Sequence, residues 1–193
     1  MKDAKAQLQS SYPHTVTLAD NTIVALRLMT PFDADRILTF ARSLPADDLL
    51  FLRTNITDPD VVAQWVQSMI AGLTITIIAE VGVEMAGYAS LHHNDVTWQR
   101  HLGEIRIQVG QRYRSQGLGR ILASEVFSVG RELGLRKIVA QMTSDQKGAI
   151  ATFERLGFQT EALLQDFVID RMDRTRDLLV MSYDVTGLTE HVN

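Results

Sequence analysis

Six residues, Arg114-Ser115-Gln116-Gly117-Leu118-Gly119, stand between a stretch that reads as a strand and one that reads as a helix. Upstream, Glu104-Ile105-Arg106-Ile107-Gln108-Val109 has the composition of a strand. Downstream, Leu118, Ile121, Leu122, Val126, Val129 and Leu133 recur at helical spacing. A strand, a glycine-bearing turn and a helix start together make an anion site. The glycines let backbone N–H groups come close to a phosphate, and the helix N-terminus adds a partial positive charge. The spacing is neither G-x-G-x-x-G nor a Walker loop; it is R-x-x-G-x-G.

Other chemistry finds less support. The chain has no cysteine, which removes a disulfide framework, a thiolate metal site and a cysteine nucleophile. His92, His93 and His101 have no carboxylate at metal-ligand spacing, so no metal is expected and they read as loop histidines near a cleft. Arg171, Arg174 and Arg176 alternate with Asp170, Asp173 and Asp177, as in a solvated turn, with the lining of a cleft as the alternative. Trp65 and Trp98 read as packing residues.

The elements that must position the glycine loop follow from pattern. Thr15–Leu18 and Ile23–Leu28 read as two short strands around a turn. Thr30-Pro31 opens a helix with Ile37, Leu38, Phe40 and Ala41 on its apolar stripe. Thr57-Asp58-Pro59 caps a second helix, and Gly72 stops it. Thr74–Glu80 and Met85–Leu91 read as a hairpin, and Leu102–Val109 as the next strand. A long helix runs from the loop to Gly134. Lys137–Met142 is a strand, Gln146–Leu156 a helix, and Phe158–Leu164 with Leu178–Tyr183 a final strand pair. The order β-α-α-β-β-β-α-β-α-β-β describes an α/β protein, a mixed sheet with helices on both faces. Residues 1–15 read as a flexible lead-in and 16–187 as a single domain. The 193 residues, with net charge −4, suit one globular domain and show no nucleic-acid footprint. No apolar run spans a membrane, so no membrane partner is expected, and a cytoplasmic location is.

A second signature lies downstream of the loop. Ala149-Ile150-Ala151-Thr152-Phe153-Glu154-Arg155-Leu156-Gly157-Phe158 resembles A-I-x-x-Y-x-x-x-G-F, which closes the fold of the GNAT superfamily of N-acetyltransferases. R-x-x-G-x-G resembles the pyrophosphate loop of the same superfamily. The resemblance runs from about Val16 to Val185 and is most specific between Glu104 and Phe158. Ala25-Leu26-Arg27, Asp33-Ala34, Ser43-Leu44 and Leu52-Arg53 resemble, more loosely, the acetyltransferase domain of bacterial protein-lysine acetyltransferases.

The resemblance implies acetyl-CoA as co-substrate and a primary amine, protein lysine or small molecule, as acceptor, with direct transfer in a ternary complex. It implies that Arg114, Ser115, Gln116, Gly117, Leu118 and Gly119 hold the pyrophosphate. It implies that Ile107, Gln108 and Val109 pair with the pantetheine arm, with a bulge near Gly110 splaying the strand. Gln146 takes the place of an asparagine that contacts that arm. Glu104 stands where the family has its general base, and the Val109 N–H where it stabilises the oxyanion. Arg106 is a same-face neighbour of Glu104. If the two pair, the glutamate becomes a weaker base; alternatively, Arg106 orients an acidic substrate group. Phe153 replaces the family's proton-donating tyrosine. An acyl-CoA-binding sensor that turns nothing over is therefore a second reading, succinyl-CoA is an alternative donor, and the final strand offers an edge for a homodimer.

Overall fold

The computed structural model describes residues 8–50, 52, 54–94, 98–170 and 172–185. Their strands form one eight-stranded sheet in the order β1-β2-β3-β4-β5-β6-β8-β7. The strands are β1 (His14–Thr17), β2 (Ile23–Leu28), β3 (Thr74–Val81), β4 (Glu84–His93), β5 (Leu102–Val109), β6 (Lys137–Thr143), β7 (Gln159–Ile169) and β8 (Thr175–Asp184). Every neighbouring pair is antiparallel except β5–β6, which is parallel. A parallel pair needs a crossover, and α4 (Leu118–Glu132) supplies it.

Helices cover both faces, as expected. On one face α4 buries Leu118, Leu122, Val126 and Val129 against Leu26, Ile77, Leu91 and Ile105, and α5 (Lys147–Arg155) packs Ile150 and Phe153 beside them. On the other, α1 (Ala34–Ser43) and α3 (Pro59–Ile70) bury Ile37, Phe40, Ala41, Val62 and Val66 against Ile78, Met85 and Tyr88. Adjacent residues Ile77 and Ile78 serve opposite cores, which is the two-residue alternation of a strand covered on both sides. Each fully buried Leu or Ile contributes about 1.5–3 kcal/mol.

Local chemistry sets the helix ends. The Asp58 carboxylate accepts from the Asp60 N–H at the start of α3, and Pro59 occupies its first turn. Gly117, at φ 94°, starts α4, a conformation that glycine adopts without strain.

Three features depart from the sequence reading. Residues 8–11 are helical, Leu8 is only 4% exposed, and Tyr12 donates to Glu125 at 2.6 Å. The lead-in is thus tied to the fold from Leu8 onward; one apolar residue among polar neighbours gives no periodic signal. Residues 1–7 lie outside the described residues. A short helix, α2 (Ala46–Leu50), follows α1. The last two strands are longer than their apolar pattern, because β7 is an edge strand whose register slips between Leu164 and Val168. There the alternation fails.

Candidate active site

The site is a split in the sheet. β5 and β6 pair only at Leu102–Lys137, Gly103–Ile138 and Glu104–Val139, then part. On its other side β5 stays paired with β4 through Val109 with no slip. The expected bulge near Gly110 is therefore absent from this ladder; the strands diverge after Glu104 instead. Gly110 donates to the Ala86 carbonyl at 2.8 Å. By antiparallel alternation, Arg106 and Gln108 also turn their peptide groups to β4, while Ile107 and Val109 turn theirs into the split. Two backbone N–H groups with no ladder partner among the described residues thus face the gap, as a strand-like ligand requires. The Gln108 N–H faces β4 instead, although Gln108 lines both cavities at the gap.

Two cavities meet at this split. One, about 660 Å³, lies on the α1/α3 side and is lined by Glu104, Arg106, Tyr88, His92, Trp65 and Phe167, among others. The other, about 1300 Å³, runs along the glycine loop and α5, lined by Arg114, Ser115, Gly117, Gly119, Lys147 and Arg155, among others. Ile107, Gln108, Gln146, Ala149 and Phe153 line both. One ligand can therefore enter from each side and meet the other between β5 and β6.

In the larger cavity the loop has the geometry of an anion cradle. Ser115 (φ 62°) and Gly117 (φ 94°) both take left-handed backbone, turning the chain into α4. Helix α4 has no acidic residue in its first turn and no side-chain cap, so its leading N–H groups stay open to an anion. The Gln116 carbonyl accepts from the Ala19 N–H at 3.2 Å, which ties the loop to the β1–β2 turn. Arg114 has a use that the sequence did not reveal. Its Nε donates to the Val109 carbonyl at 3.1 Å, and its Nη2 pairs with Asp48 of α2. It thus fixes the peptide at the end of β5. Asp48, a cavity-lining carboxylate, was invisible to motif reading because its helix is remote in sequence.

In the smaller cavity Arg106 does pair with Glu104: Nε and Nη2 both reach Oε1 at 3.1 Å. His92, opposite Glu104 on β4, is a strand residue, not a loop one. Its Nδ1 bonds Thr74 Oγ1 at 3.0 Å and its Nε2 bonds Ser90 Oγ at 3.1 Å. His101 lies on the turn before β5, and no metal-holding group of His, Asp and Glu occurs among the described residues. Trp65 packs on Tyr88 with ring centroids 5.0 Å apart, and its Nε1 donates to Thr76. Trp98, in contrast, is 78% exposed and packs little. Burial pushes the Tyr88 hydroxyl well above its ordinary pKa, against the opposing charge of Arg106.

The Arg/Asp run is a solvated turn from Met172 to Thr175, but it is built on a buried carboxylate. Asp170 is buried and accepts from the N–H groups of Met172 and Arg174 and from the Arg174 and Arg176 guanidiniums. Arg176 also reaches Asp145 at 3.0 Å. This network closes the β7–β8 hairpin, and Asp170 and Arg176 line the smaller cavity. Arg171 and Arg53 lie outside the described residues.

At the junction, Gln146 Oε1 accepts from the Thr143 N–H at 3.0 Å, which orients its carboxamide in the split. Phe153 stacks edge-on against Phe158 at 4.9 Å and presents no proton donor.

Comparison with known proteins agrees with this geometry. Residues 45–158 match the acetyltransferase (GNAT) family. The chain belongs to that family. This GNAT protein is 26% identical over 155 residues to the mouse protein named probable N-acetyltransferase family 8 member 5, covering 74% of this chain and 68% of that one. Its fold is similar to that of yncA from Salmonella typhimurium, described with its cofactor acetyl-CoA (TM-score 0.73, 21% identity, 84% and 94% coverage). It is also similar to the GNAT domain of S. lividans PAT (TM-score 0.76, 16% identity, 91% and 98% coverage). As a GNAT acetyltransferase the protein is an acetyl-CoA-dependent acyltransferase. No helix among the described residues is long and apolar enough to cross a membrane.

Proposed function

We propose that the protein transfers the acetyl group of acetyl-CoA directly to a primary amine, within a ternary complex. The observation that carries this reading is the meeting of the two cavities at the β5/β6 split. A glycine loop and helix start lie on one side, and a strand carboxylate on the other. Acetyl-CoA occupies the larger cavity. The N–H groups from Arg114 to Gly119 hold its pyrophosphate, Ile107 and Val109 pair with the pantetheine arm, and the Gln146 carboxamide contacts that arm. The amine enters the smaller cavity beside Glu104.

An amine of pKa roughly 10.4 is almost wholly protonated at neutral pH, so a base must take one proton before attack. Glu104 fills that role. The amine nitrogen then bonds to the thioester carbonyl carbon, and the developing oxyanion is held by the Val109 N–H. The C–S bond breaks, the electron pair leaves on sulfur, and the second amine proton goes to solvent. With phenylalanine at position 153, CoA departs as the thiolate, which is acceptable for a thiol of pKa roughly 8.5.

Phe153 also motivates the rival reading of an acyl-CoA sensor. Free-thiol release from acetyl-CoA, measured across polyamines, amino acids, aminoglycosides and lysine peptides, separates the two. The transferase gives acceptor-dependent release; a sensor binds CoA by calorimetry and releases no thiol, whichever acceptor is present.

A further inference from the structure

The smaller cavity holds a feature that simple amine transfer does not use. Of the side chains lining it, Arg106 and Arg176 are the arginines. Arg176 is fully engaged: Nε and Nη2 contact Asp170, and Nη1 contacts Asp145. Arg106 spends Nε and Nη2 on Glu104, and its Nη1 has no hydrogen-bond partner among the described residues. One cavity-lining cation therefore keeps an open donor edge.

A second observation points to the same spot. Tyr88 lines the cavity, is only 3% exposed, and its hydroxyl makes no hydrogen bond among the described residues. Its ring is wedged between Phe40 and Trp65 at 6.0 and 5.0 Å. Tyr88 faces Gln108 across the β4–β5 ladder, and Ser90 faces Arg106, so Tyr88 is the diagonal neighbour of Arg106 on one sheet face. The hydroxyl is not walled off: it opens on the cavity, where a ligand oxygen can accept from it.

The spacing of the charges defines what fits. The Glu104 carboxylate and the Arg106 guanidinium are 3.1 Å apart. A ligand that meets both must carry a cation and an anion almost in contact with each other. Polyamines carry no anion, and a lysine side chain in a peptide holds its ammonium far from any carboxylate. An α-amino acid has both groups on one carbon. The remaining walls, including Ile56, Val61, Trp65, Phe167 and Leu178, are mostly apolar.

We propose that the acceptor is a free α-amino acid with an apolar side chain, its amine on Glu104 and its carboxylate on Arg106 and Tyr88. This rests on the transferase reading above. It goes further in making Arg106 a specificity residue rather than only the partner of the base.

The test compares L-phenylalanine and L-leucine with their carboxamides and with phenethylamine and isopentylamine. Thiol release and calorimetric binding to the CoA-loaded protein are both measured. The amino acids should exceed the matched amines and amides by about tenfold or more in kcat/KM, the worth of a charge-assisted hydrogen bond. Freeing Glu104 changes both classes of acceptor alike, so the readout is the ratio: Arg106→Met should bring the amino-acid-to-amine ratio of kcat/KM down to about one, and Tyr88→Phe should narrow it by a few-fold. Amines or lysine peptides outperforming the amino acids would overturn the proposal, as would Arg106→Met lowering both classes equally. Should no acceptor release thiol, Arg106-dependent binding of L-phenylalanine or L-leucine still supports the acceptor assignment, and its absence overturns it. Failure of CoA itself to bind would count instead against the transferase reading.

Discussion

Replacing Glu104 by glutamine isolates the base. Glutamine is nearly isosteric, and its Oε1 can still accept from Arg106 Nε and Nη2, now at 3.1 Å. The ladder to β4 and the short pairing to β6 rest on backbone and are untouched. What disappears is basicity. For an amine of pKa roughly 10.4, only about 4 molecules in 10,000 are neutral at pH 7, so a variant that waits for them is slowed by up to about 2,500-fold. That falls within the roughly 10²–10⁴-fold range of general base catalysis. The loss shrinks about tenfold per pH unit as pH rises toward the amine pKa, because solvent then does the work of Glu104. The assay is thiol release from pH 6.5 to 10, with CoA affinity measured alongside. Expected are a kcat/KM lower by about 10²–10³ at pH 7, a log-linear recovery with pH, and a CoA Kd within about twofold of wild type. Near-normal activity at neutral pH with an unchanged pH profile would refute the base assignment.

Asp48→Asn removes a carboxylate from the phosphate side of the larger cavity and releases Arg114. CoA should bind a few-fold tighter, with a steeper salt dependence, by calorimetry. Gly87→Ala would set a Cβ 2.6 Å from the Gln108 carbonyl and 3.3 Å from Val109 Cα. The end of β5 must shift, and CoA affinity and turnover should fall by about tenfold or more while circular dichroism still reports a folded protein. Asp33 is buried; burial raises its pKa, but hydrogen bonds from Arg27 and Thr30 outweigh this and hold it at about 2. Because the folded pKa is depressed, the stability from this carboxylate is complete above about pH 4 and is lost as pH falls toward 2. Asp33→Asn should lower unfolding free energy by about 2–3 kcal/mol at pH 7 and flatten its acid dependence, as read by denaturant titration at several pH values.

The legible parts of this fold were those with local signals. Strand–turn–helix around Gly117, the capped start of α3 at Asp58 and the apolar stripe of α4 each announce themselves within a few residues. That the glycine loop, Glu104 and Gln146 lie at one place in the fold was legible because they sit in or beside the two motifs. What stayed hidden depends on distant residues. Asp48 and Arg114 meet across 66 positions. Tyr88 looks like core in a strand, and only the three-dimensional arrangement reveals a hydroxyl without a partner. Asp170 sits in a charge run that resembles a solvated turn, and its burial arises from the hairpin folding around it. The sequence points to a splay at a bulge near Gly110, yet β5 and β6 part after Glu104 and Val139, each held by its other neighbour, which no local signal in β5 encodes.

The claim that CoA fills the β5/β6 split is tested most directly by amide hydrogen exchange along β5, with and without CoA. Arg106 and Gln108, bonded to β4, should be protected in both states, and Ile107 and Val109 should gain protection only when CoA is bound. CoA binding that leaves Ile107 and Val109 exchanging as in the free protein would contradict the account.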